Sequence, residues 1–524
     1  MYGLAIFCTL SAILVIFLLR WRKKTFEYFS SLGIPGPEPN IIWGNLKEYH
    51  QNDRHNALEQ WCEKYGDIFG FYNGDVPTLV VKDLDFLNYV FVLNFKNFVD
   101  RGVKEYIVQL LLQITMRTDQ EHSFLGESMI HAKDPQWRFL RNFSSREFTS
   151  HKLKQMMPHL VEQGDIFMDI VRKLADDGGQ KLMNDAFQAL SMDFACRAAF
   201  GMDTDFQHNK KCPFYIKADG VIPGMMKGPF HAIAQCTTTF GIFMKPFFWL
   251  NKVMGTFTMK IFAEEMKKVV RLRTENPSTE RHDMLQNLLE ARVHTMRLSD
   301  EFGLKTGDLQ NPRRPTEDEV VLLSTVLFLG SFQTSSVTLS FMSLLLAMHP
   351  EIQEKVRQEV KAAIANSGCL DYDTVTKELK YTRQVMYETL RLFPPSITFH
   401  TRSAKESFTY KGITFKAGTC ISAPVIQLHR DPQHWPEPNK FDPDRFDPEN
   451  KEGYCKAAFQ PFGVGPRRCV GYKLAILQVL YFTARIVAEF KMELGEAQKG
   501  DIPIRTIGMM SKLDNGPWIK FTRI

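Results

Sequence analysis

The chain lacks the cysteine pattern of a disulfide framework or a zinc ribbon. It holds nine cysteines in 524 residues, an odd number at wide spacings, and no CxxC pair occurs. Paired or clustered thiols are what small disulfide-rich secreted domains and Cys-rich zinc sites require. We therefore expect reduced thiols in a cytosol-facing domain, with at least one cysteine that needs a separate explanation.

The sequence also lacks the short motifs of several common enzymes. GxxxxGK[ST], HExxH, GxSxG and GxGxxG do not occur, so phosphate-binding loops, zinc proteases and nucleophile-elbow hydrolases lose their main support. The net charge is only +6 and long Lys/Arg runs are missing, so no nucleic-acid partner is expected. An anionic membrane surface or an acidic protein partner accounts for so small a basic surplus.

A long uncharged apolar run stands at the amino terminus. Residues 1–19 carry no charge, and RWRKK follows at 20–24. As a helix this run spans about 28 Å, close to the roughly 30 Å hydrocarbon core of a bilayer. A cleaved signal peptide is the alternative, but the basic residues follow the run and no small-residue cleavage site comes after it. The positive-inside rule then leaves the bulk of the chain in the cytosol.

No interior stretch has the composition of a linker, and no repeat of 20–50 residues occurs, which favours one large domain behind the anchor. We assign residues 1–20 to a transmembrane signal anchor, 21–40 to a basic and proline-rich linker, and 41–524 to a single domain. The prolines of SSLGIPGPEP, residues 30–39, predict a stiff, non-helical elbow after the anchor.

Helical periodicity dominates from about residue 150, so the predicted fold class is mainly α with small β-sheets. The pattern predicts one long helix over 317–347 and another over 350–366. The predicted strands are short: 69–72, 78–81, 408–410, 413–415 and 518–522. Residues 212–260 carry many apolar side chains, which form either packed core or an apolar surface that dips into a membrane.

The segment PFGVGPRRCVG, residues 461–471, contains the chemistry-bearing cysteine. Cys469 lies in a glycine-rich loop just before an apolar helix, where backbone N–H groups and the helix N-terminus stabilise a thiolate. A buried structural cysteine in a turn is the alternative. Five positions fit the pattern FxxGxRxCxG: Phe462, Gly465, Arg467, Cys469 and Gly471. With this loop the sequence resembles the cytochrome P-450 family of heme-thiolate enzymes. Within that family it looks most like the animal microsomal branch that holds liver drug oxidases and thromboxane synthase. The stretches that carry this second resemblance are LGIPGP, EFTSHKLKQMMP and SSVTLSF.

The resemblance implies heme b (iron protoporphyrin IX) as the cofactor, with Cys469 as the axial ligand of the iron. A thiolate pushes electron density onto the iron and favours cleavage of the O–O bond. The residues that the resemblance assigns to cofactor binding are Trp137, Arg141, Arg402, Arg467, Phe462, Gly465 and Gly471. The arginines are expected at the heme propionates, as charge-assisted pairs, although solvated surface charge explains each of them alone.

A second motif precedes the cysteine loop. Glu388 and Arg391, in YETLRLFPP, are three residues apart on one helical face and can pair. In the family this ExxR pair forms a triad with an arginine from a PxRF segment, which here is Arg445. The implied role is structural, shaping the ligand loop, whereas a lone ExxR pair would be read as a surface ion pair.

The third motif departs from the family pattern. The long predicted helix contains GSFQTSS, residues 330–336, where the family has [AG]Gx[DE]T, an acid and a threonine that relay protons. Gln333 replaces the acid and Ser331 replaces the second glycine. Glutamine can hydrogen-bond but cannot exchange a proton near neutral pH. We expect proton delivery through Thr334 and water, with Gln333 orienting them, against plain helix packing as the alternative.

The implied function is a microsomal monooxygenase that inserts one oxygen atom from O2 into a lipophilic substrate, a steroid, fatty acid or xenobiotic. NADPH supplies electrons through NADPH–cytochrome P-450 reductase, with cytochrome b5 as a second candidate partner, at the endoplasmic reticulum membrane. By resemblance the substrate pocket is lined by Ser331, Phe332, Ser396, Ile397, Thr398 and Ile507.

Two alternative functions stay open: a heme-thiolate isomerase or dehydratase acting on a lipid peroxide, and a non-catalytic heme-binding membrane protein. The first gains weight from Gln333, and retention of Thr334 argues against it.

Overall fold

Helices outnumber strands in the part of the chain that the structure describes, as the periodicity predicted. The computed structural model describes residues 2–51, 54–101, 127–224, 236, 246–247, 249–250, 253–254, 258–276, 281, 283–291, 314–397, 400–450, 454–498, 504–507, 510–513 and 515–524. The helices are α1 (Tyr2–Phe26), α2 (Tyr28–Ser31), α3 (Leu46–Gln51), α4 (Arg54–Tyr65), α5 (Leu84–Asn88), α6 (Gln136–Arg146), α7 (Ser150–Asp176), α8 (Met183–Phe200), α9 (Pro213–Asp219), α10 (Val221–Gly224), α11 (Thr258–Glu275), α12 (Met284–Glu290), α13 (Glu317–Met348), α14 (Pro350–Ser367), α15 (Lys380–Leu392), α16 (Val425–His429) and α17 (Tyr472–Glu489).

The strands are short and form small sheets. They are β1 (Ile68–Asn73), β2 (Val76–Val81), β3 (Gln180–Leu182), β4 (Thr401–Ser403), β5 (Phe408–Tyr410), β6 (Ile413–Phe415), β7 (Cys420–Ser422), β8 (Phe490–Leu494), β9 (Ile504–Ile507), β10 (Met510–Leu513) and β11 (Trp518–Arg523). One sheet has the order β1-β2-β7-β4, with β2 and β7 parallel, and another has the order β3-β11-β8. Two hairpins, β5-β6 and β9-β10, complete the set, so a strand lies at each of the five predicted positions.

The chain divides into two compact units. The first unit contains residues 1–126, 226–256 and 400–427, and the second contains 127–225, 257–399 and 428–524. The four-stranded sheet and the β5-β6 hairpin belong to the first unit, whereas α13, α15, α17 and the three-stranded sheet belong to the second.

The long helix α13 forms the core of the second unit. It begins at a capping box, in which the Thr316 hydroxyl accepts from the Glu319 N–H and the Glu319 carboxylate accepts from the Thr316 N–H. It ends just before Pro350, which cannot continue a helix because it has no backbone N–H. The helix is apolar enough to cross a membrane, but 78% of its most apolar stretch is buried inside the protein, so it is a core helix. It packs against α8 and α11.

Helix α1 is also long and apolar enough to cross a membrane, and its most apolar stretch is not buried at all. It is longer than the predicted run and includes the basic residues that follow it. One of these basic residues, Arg22, is buried. Its guanidinium donates to the carbonyls of Ile41 and Ile42 at 3.0 and 2.6 Å and lies 3.7 Å from the Asp75 carboxylate. The end of α1 is therefore joined to the segment 41–75 of the same unit by direct polar contacts.

Residues 32–39 of the proline-rich stretch are non-helical, as predicted, whereas Ser30 and Ser31 belong to α2. The stretch is packed rather than free. The Gly70 N–H of strand β1 donates to the Pro35 carbonyl at 2.9 Å. A Cβ placed on Gly36 would lie only 1.9 Å from the Gly70 carbonyl oxygen, so glycine is the residue that permits this approach. Residues 34–36 thus lie against the sheet.

The apolar segment 212–260 is described only in part. Ile216 and Trp249 expose 57% and 60% of their surface, whereas Val221 is fully buried. Phe214 packs on Phe262 with the ring centroids 5.2 Å apart. The described residues of this segment therefore contain both core and exposed apolar surface. The following apolar residues of the segment lie outside the described residues: Met225, Met226, Phe230, Phe240, Phe243 and Phe248.

Candidate active site

The loop that contains Cys469 is closed by its own backbone. Gly463 and Gly465 adopt φ values of +74° and +71°, in the left-handed region that glycine enters without strain. The Cys469 N–H donates to the Phe462 carbonyl at 2.8 Å, and the Arg468 N–H donates to the Gly465 carbonyl at 3.0 Å. The Cys469 side chain is exposed and stands three residues before the first residue of α17. The loop therefore presents a thiol that is not in a disulfide at the N-terminal end of an 18-residue helix.

Two guanidiniums lie beside this loop, the half-buried Arg141 and the buried Arg467. Arg141, on α6, donates to the Arg468 carbonyl at 2.8 Å. Burial lowers the pKa of Arg141 to about 10, and the nearby Cys469 acts against that shift, since a thiolate favours the charged guanidinium. The Arg467 guanidinium lies 4.5 Å from the centre of the Trp137 ring. The structure thus brings Trp137, Arg141 and Arg467 together around the ligand loop.

Arg467 also has partners that sequence reasoning missed. Its guanidinium donates to the carbonyls of Ile130 and Ala132 at 3.2 and 2.5 Å. Backbone carbonyls carry no side-chain signature, so the sequence offered no signal for these contacts.

Arg402 lies in the first unit, whereas the other predicted cofactor-binding residues lie in the second. It is on strand β4, opposite Ile421 of β7, and its side chain is buried. The guanidinium lies 4.7 Å from the centre of the Phe91 ring and donates to the Thr401 carbonyl at 2.7 Å. Its role at the cofactor stays a prediction.

Glu388, Arg391 and Arg445 form one buried cluster. Arg391 donates to both carboxylate oxygens of Glu388 at 2.6 and 2.7 Å, and the Arg445 guanidinium lies 3.4 Å from the same carboxylate. The side chains of Glu388 and Arg391 both have 0% exposure, so the ion pair is fully shielded from solvent. Burial raises the pKa of Glu388, and the hydrogen bonds from Arg391 and the charge of Arg445 oppose that shift.

Arg391 additionally joins three segments of the chain. It donates to the carbonyls of His429, Pro438 and Lys440 at 2.8, 2.7 and 3.1 Å. Arg445 donates to the Glu437 carbonyl at 2.8 Å. The cluster therefore ties α15 to the segment 429–445 that precedes the cysteine loop.

Helix α13 has an open polar notch in its otherwise buried surface. Gly330 is exposed, and a Cβ placed there would meet no other atom within 4 Å. Thr334, one turn later, is half-buried and its hydroxyl donates to the Gly330 carbonyl at 2.7 Å. Gln333 and Ser331 are half-buried, and the Ser331 hydroxyl donates to the Phe328 carbonyl at 2.8 Å. The notch can admit a small ligand or water beside the Thr334 hydroxyl.

Phe332 does not share this notch. It is fully buried and packs on Phe328 with the ring centroids 5.2 Å apart. Two residues along a helix differ by about 200° in direction, so Phe332 points away from Gly330. Its position does not favour the predicted contact with substrate.

Residues predicted to line the substrate pocket meet where two distant segments pair. Ser396 forms an isolated bridge with Met510, and the Ser511 N–H donates to the Pro395 carbonyl at 2.9 Å. Ile507 lies opposite Met510 in the β9-β10 hairpin, and Ile397 is buried beside Ser396 in sequence. Thr398 lies outside the described residues.

The donor set of this site suits one kind of prosthetic group. An iron porphyrin takes a thiolate as an axial ligand and carries propionate carboxylates that buried guanidiniums can bind. The exposed Cys469 thiol lies near the half-buried Arg141 and the buried Arg467, and the helical fold carries a polar notch on α13. We assign the protein on these grounds to the heme-thiolate oxidoreductases.

Comparison with known proteins specifies the family. A family model described as Cytochrome P450 matches residues 34–517. The chain is 29% identical to Cytochrome P450 3A14 of Cavia porcellus, over 95% of this chain and 92% of that protein. It is also 29% identical to Cytochrome P450 3A28 of Bos taurus, over 94% and 90%, and to Cytochrome P450 3A41 of Mus musculus, over 95% and 92%. The chain belongs to the cytochrome P-450 family: it is a monooxygenase of the cytochrome P-450 fold, with heme b as its cofactor.

Proposed function

We propose that this protein is a microsomal monooxygenase that inserts one oxygen atom from O2 into a lipophilic substrate, a steroid, fatty acid or xenobiotic. Its electrons come from NADPH through NADPH–cytochrome P-450 reductase, with cytochrome b5 as a second candidate donor. Helix α1 anchors it in the endoplasmic reticulum membrane with the remainder of the chain in the cytosol. The observation that carries the proposal is the open notch on α13, where the Thr334 hydroxyl stands beside free space.

The residues of the site divide the work among them. When bound, the heme would supply the chemistry of oxygen activation, and the Cys469 thiolate would hold its iron. Arg141 and Arg467 would hold the propionates as charge-assisted pairs. The buried cluster of Glu388, Arg391 and Arg445 holds in place the segment 429–445, which precedes the cysteine loop.

The Thr334 hydroxyl is the group that moves protons. Its hydrogen lies toward the Gly330 carbonyl at 2.7 Å, which leaves the lone pairs of Oγ1 available to a water in the notch. Proton transfer passes through Oγ1 and that water. Gln333 orients the water with its amide and does not itself exchange a proton.

The electron source and substrate class are tested by turnover with purified reductase. Product formation and NADPH consumption would be measured over a panel of lipophilic compounds that includes a lipid peroxide. Oxygenated products formed only in the presence of NADPH, O2 and reductase are expected. Conversion of the peroxide alone, with NADPH untouched, would contradict the proposal. That result would favour the second candidate, a heme-thiolate isomerase or dehydratase, for which Gln333 is the supporting observation.

Substitutions at the notch test proton delivery. Thr334→Ala is expected to lower the rate of product formation by a factor on the order of 10²–10⁴, the range that positioned proton transfer contributes, and to lower the product formed per NADPH. Gln333→Glu should increase turnover or coupling, because it adds a carboxyl that exchanges protons. Stopped turnover assays with simultaneous product and NADPH measurement give both quantities.

The matched control is Ser340→Ala on the same helix. The Ser340 hydroxyl also donates to the carbonyl four residues earlier, at 2.7 Å, but it is buried away from the notch. It should leave coupling unchanged. If Gln333→Glu alters neither turnover nor coupling, proton delivery does not pass beside residue 333.

A further inference from the structure

A buried histidine joins the Glu388–Arg391–Arg445 cluster to the cysteine loop. His429 is the last residue of α16 and has 0% exposure. Its ring packs on Phe459 with the centroids 5.6 Å apart and on Trp435 at 6.3 Å. Neither the periodicity nor any motif of the sequence singled it out.

The hydrogen bonds of His429 determine which ring nitrogen carries the proton. The backbone N–H of Gln460 points at Nε2 over 2.9 Å. Because a backbone N–H can only donate, Nε2 must be the acceptor and the proton of the neutral ring lies on Nδ1. Nδ1 in turn is 3.2 Å from the Arg391 carbonyl, to which it donates.

The pairing between His429 and Arg391 is reciprocal. The Arg391 guanidinium donates to the His429 carbonyl at 2.8 Å, while the His429 ring donates to the Arg391 carbonyl. Two opposed hydrogen bonds fix the imidazole relative to the end of α15. The ring therefore cannot turn without breaking contacts to a residue that is itself held by Glu388.

The other side of the ring reaches the start of the cysteine loop. Gln460 is followed by Pro461 and by Phe462, whose carbonyl accepts from the Cys469 N–H at 2.8 Å. Gln460 is buried, and its side chain donates to the Ala457 carbonyl at 2.9 Å. A continuous path of backbone and imidazole contacts thus runs from Arg391 through His429 to the residue that closes the loop on Cys469.

We propose that His429 is a positioning residue for the thiolate ligand: its neutral imidazole holds the Gln460 N–H and thereby the entry of the cysteine loop. The proposal deepens the function proposed above, since it assumes that Cys469 ligates heme iron. It assigns the imidazole a specific task, acceptance at Nε2, that ring packing alone does not perform.

Three substitutions separate acceptance at Nε2 from donation at Nδ1 and from packing. The amide oxygen of glutamine can occupy the place of Nε2, so His429→Gln keeps the acceptor for Gln460 and loses the donor to Arg391. The shorter asparagine amide can occupy the place of Nδ1, so His429→Asn keeps that donor and loses the acceptor. His429→Phe keeps the aromatic volume and loses both hydrogen bonds.

The measurement is the carbon monoxide difference spectrum of the full-length, heme-loaded protein reduced with dithionite. This spectrum distinguishes the thiolate-ligated form from the form that has lost the thiolate, and it needs neither reductase nor substrate. In mild urea, the rate at which the thiolate-ligated form is lost should rise about tenfold in His429→Asn and His429→Phe. A factor of ten corresponds to the loss of one buried hydrogen bond of about 1.4 kcal/mol. His429→Gln should stay within about twofold of the parent protein, because Gln460 keeps its acceptor.

A control and a second measurement complete the test. The Phe446 ring packs on Phe459 and Trp435, the two rings that also contact His429, with centroids 4.7 and 6.1 Å apart. Phe446→Leu therefore reports the effect of altered packing with the Gln460 contact kept, and should lower the unfolding midpoint without the tenfold change in thiolate loss. If His429→Phe matches the parent protein, or if the Gln and Asn variants lose the thiolate equally fast, the proposal is wrong.

Hydrogen exchange at the Gln460 amide of the parent protein tests the contact without any variant. Protection of this amide is expected, and exchange at the rate of a free amide would overturn the proposal. Absence of product in the turnover assay together with an intact spectrum would count against the proposed function alone.

Discussion

Cys469→Ser is expected to remove monooxygenase activity and the thiolate signature of the carbon monoxide spectrum. A serine hydroxyl stays protonated where a thiol ionises, so the donating axial ligand is lost although the side chain is nearly the same size. Loss of an outer-shell partner of a metal ligand costs about 10–100-fold in activity, and loss of the ligand itself should exceed that range. Turnover with reductase and the reduced carbon monoxide spectrum measure the two effects.

Two other cysteines provide matched controls for this substitution. Cys455 is half-buried fourteen residues earlier in the chain, and Cys369 is exposed on the segment after α14. Cys455→Ser and Cys369→Ser should keep both the spectrum and the activity. A Cys469→Ser protein that retained the thiolate spectrum would show that another residue ligates the iron.

Arg391→Ala is expected to destabilise the second unit by about 3–5 kcal/mol, the usual result of removing one partner of a buried ion pair. The substitution leaves the Glu388 carboxylate buried without the two donors at 2.6 and 2.7 Å, and it releases three backbone carbonyls in the segment 429–440. Heme retention should fall with stability, because that segment leads into the cysteine loop. Thermal unfolding of the full chain in detergent, followed together with heme release, measures the loss.

Arg391→Lys refines this test. A lysine keeps the charge but cannot donate to both carboxylate oxygens and to three carbonyls at once, so it should behave more like alanine than like arginine. The half-buried pair of Arg172 and Glu489 is the control, since it is also bidentate but remains partly in water. Arg172→Ala should change the unfolding midpoint little. Equal losses in Arg391→Ala and Arg172→Ala would mean that burial adds nothing to the Glu388–Arg391 pair.

In the first unit, the residues after the apolar run differ most from what the sequence alone indicates. The sequence separates an apolar anchor from a basic and proline-rich linker, because composition changes sharply after residue 19. In the structure Arg22 is buried against Ile41, Ile42 and Asp75, and Gly36 lies directly on Gly70. Close backbone approach and carbonyl acceptors leave no trace in composition, so residues that look like a free linker are packed on the sheet.

Local patterns in the sequence were sufficient for α13 and α14, for five of the eleven described strands and for the chemistry of the ligand loop. Thr316 and Glu319 start α13 through contacts three residues apart, Pro350 bounds its end, and the five fixed positions around Cys469 specify a turn and a thiol without reference to the rest of the chain. Such signals are readable because each depends on residues that are neighbours in sequence.

Only the tertiary structure decided which distant groups meet at the site. It set Arg467 on the carbonyls of Ile130 and Ala132, turned Phe332 into the core and placed Arg402 in the other compact unit. It also joined Arg391, His429 and Gln460 through backbone atoms. These contacts link residues that are 31 to more than 300 positions apart and use carbonyl and amide groups that every residue possesses, so side-chain identity alone could not predict them.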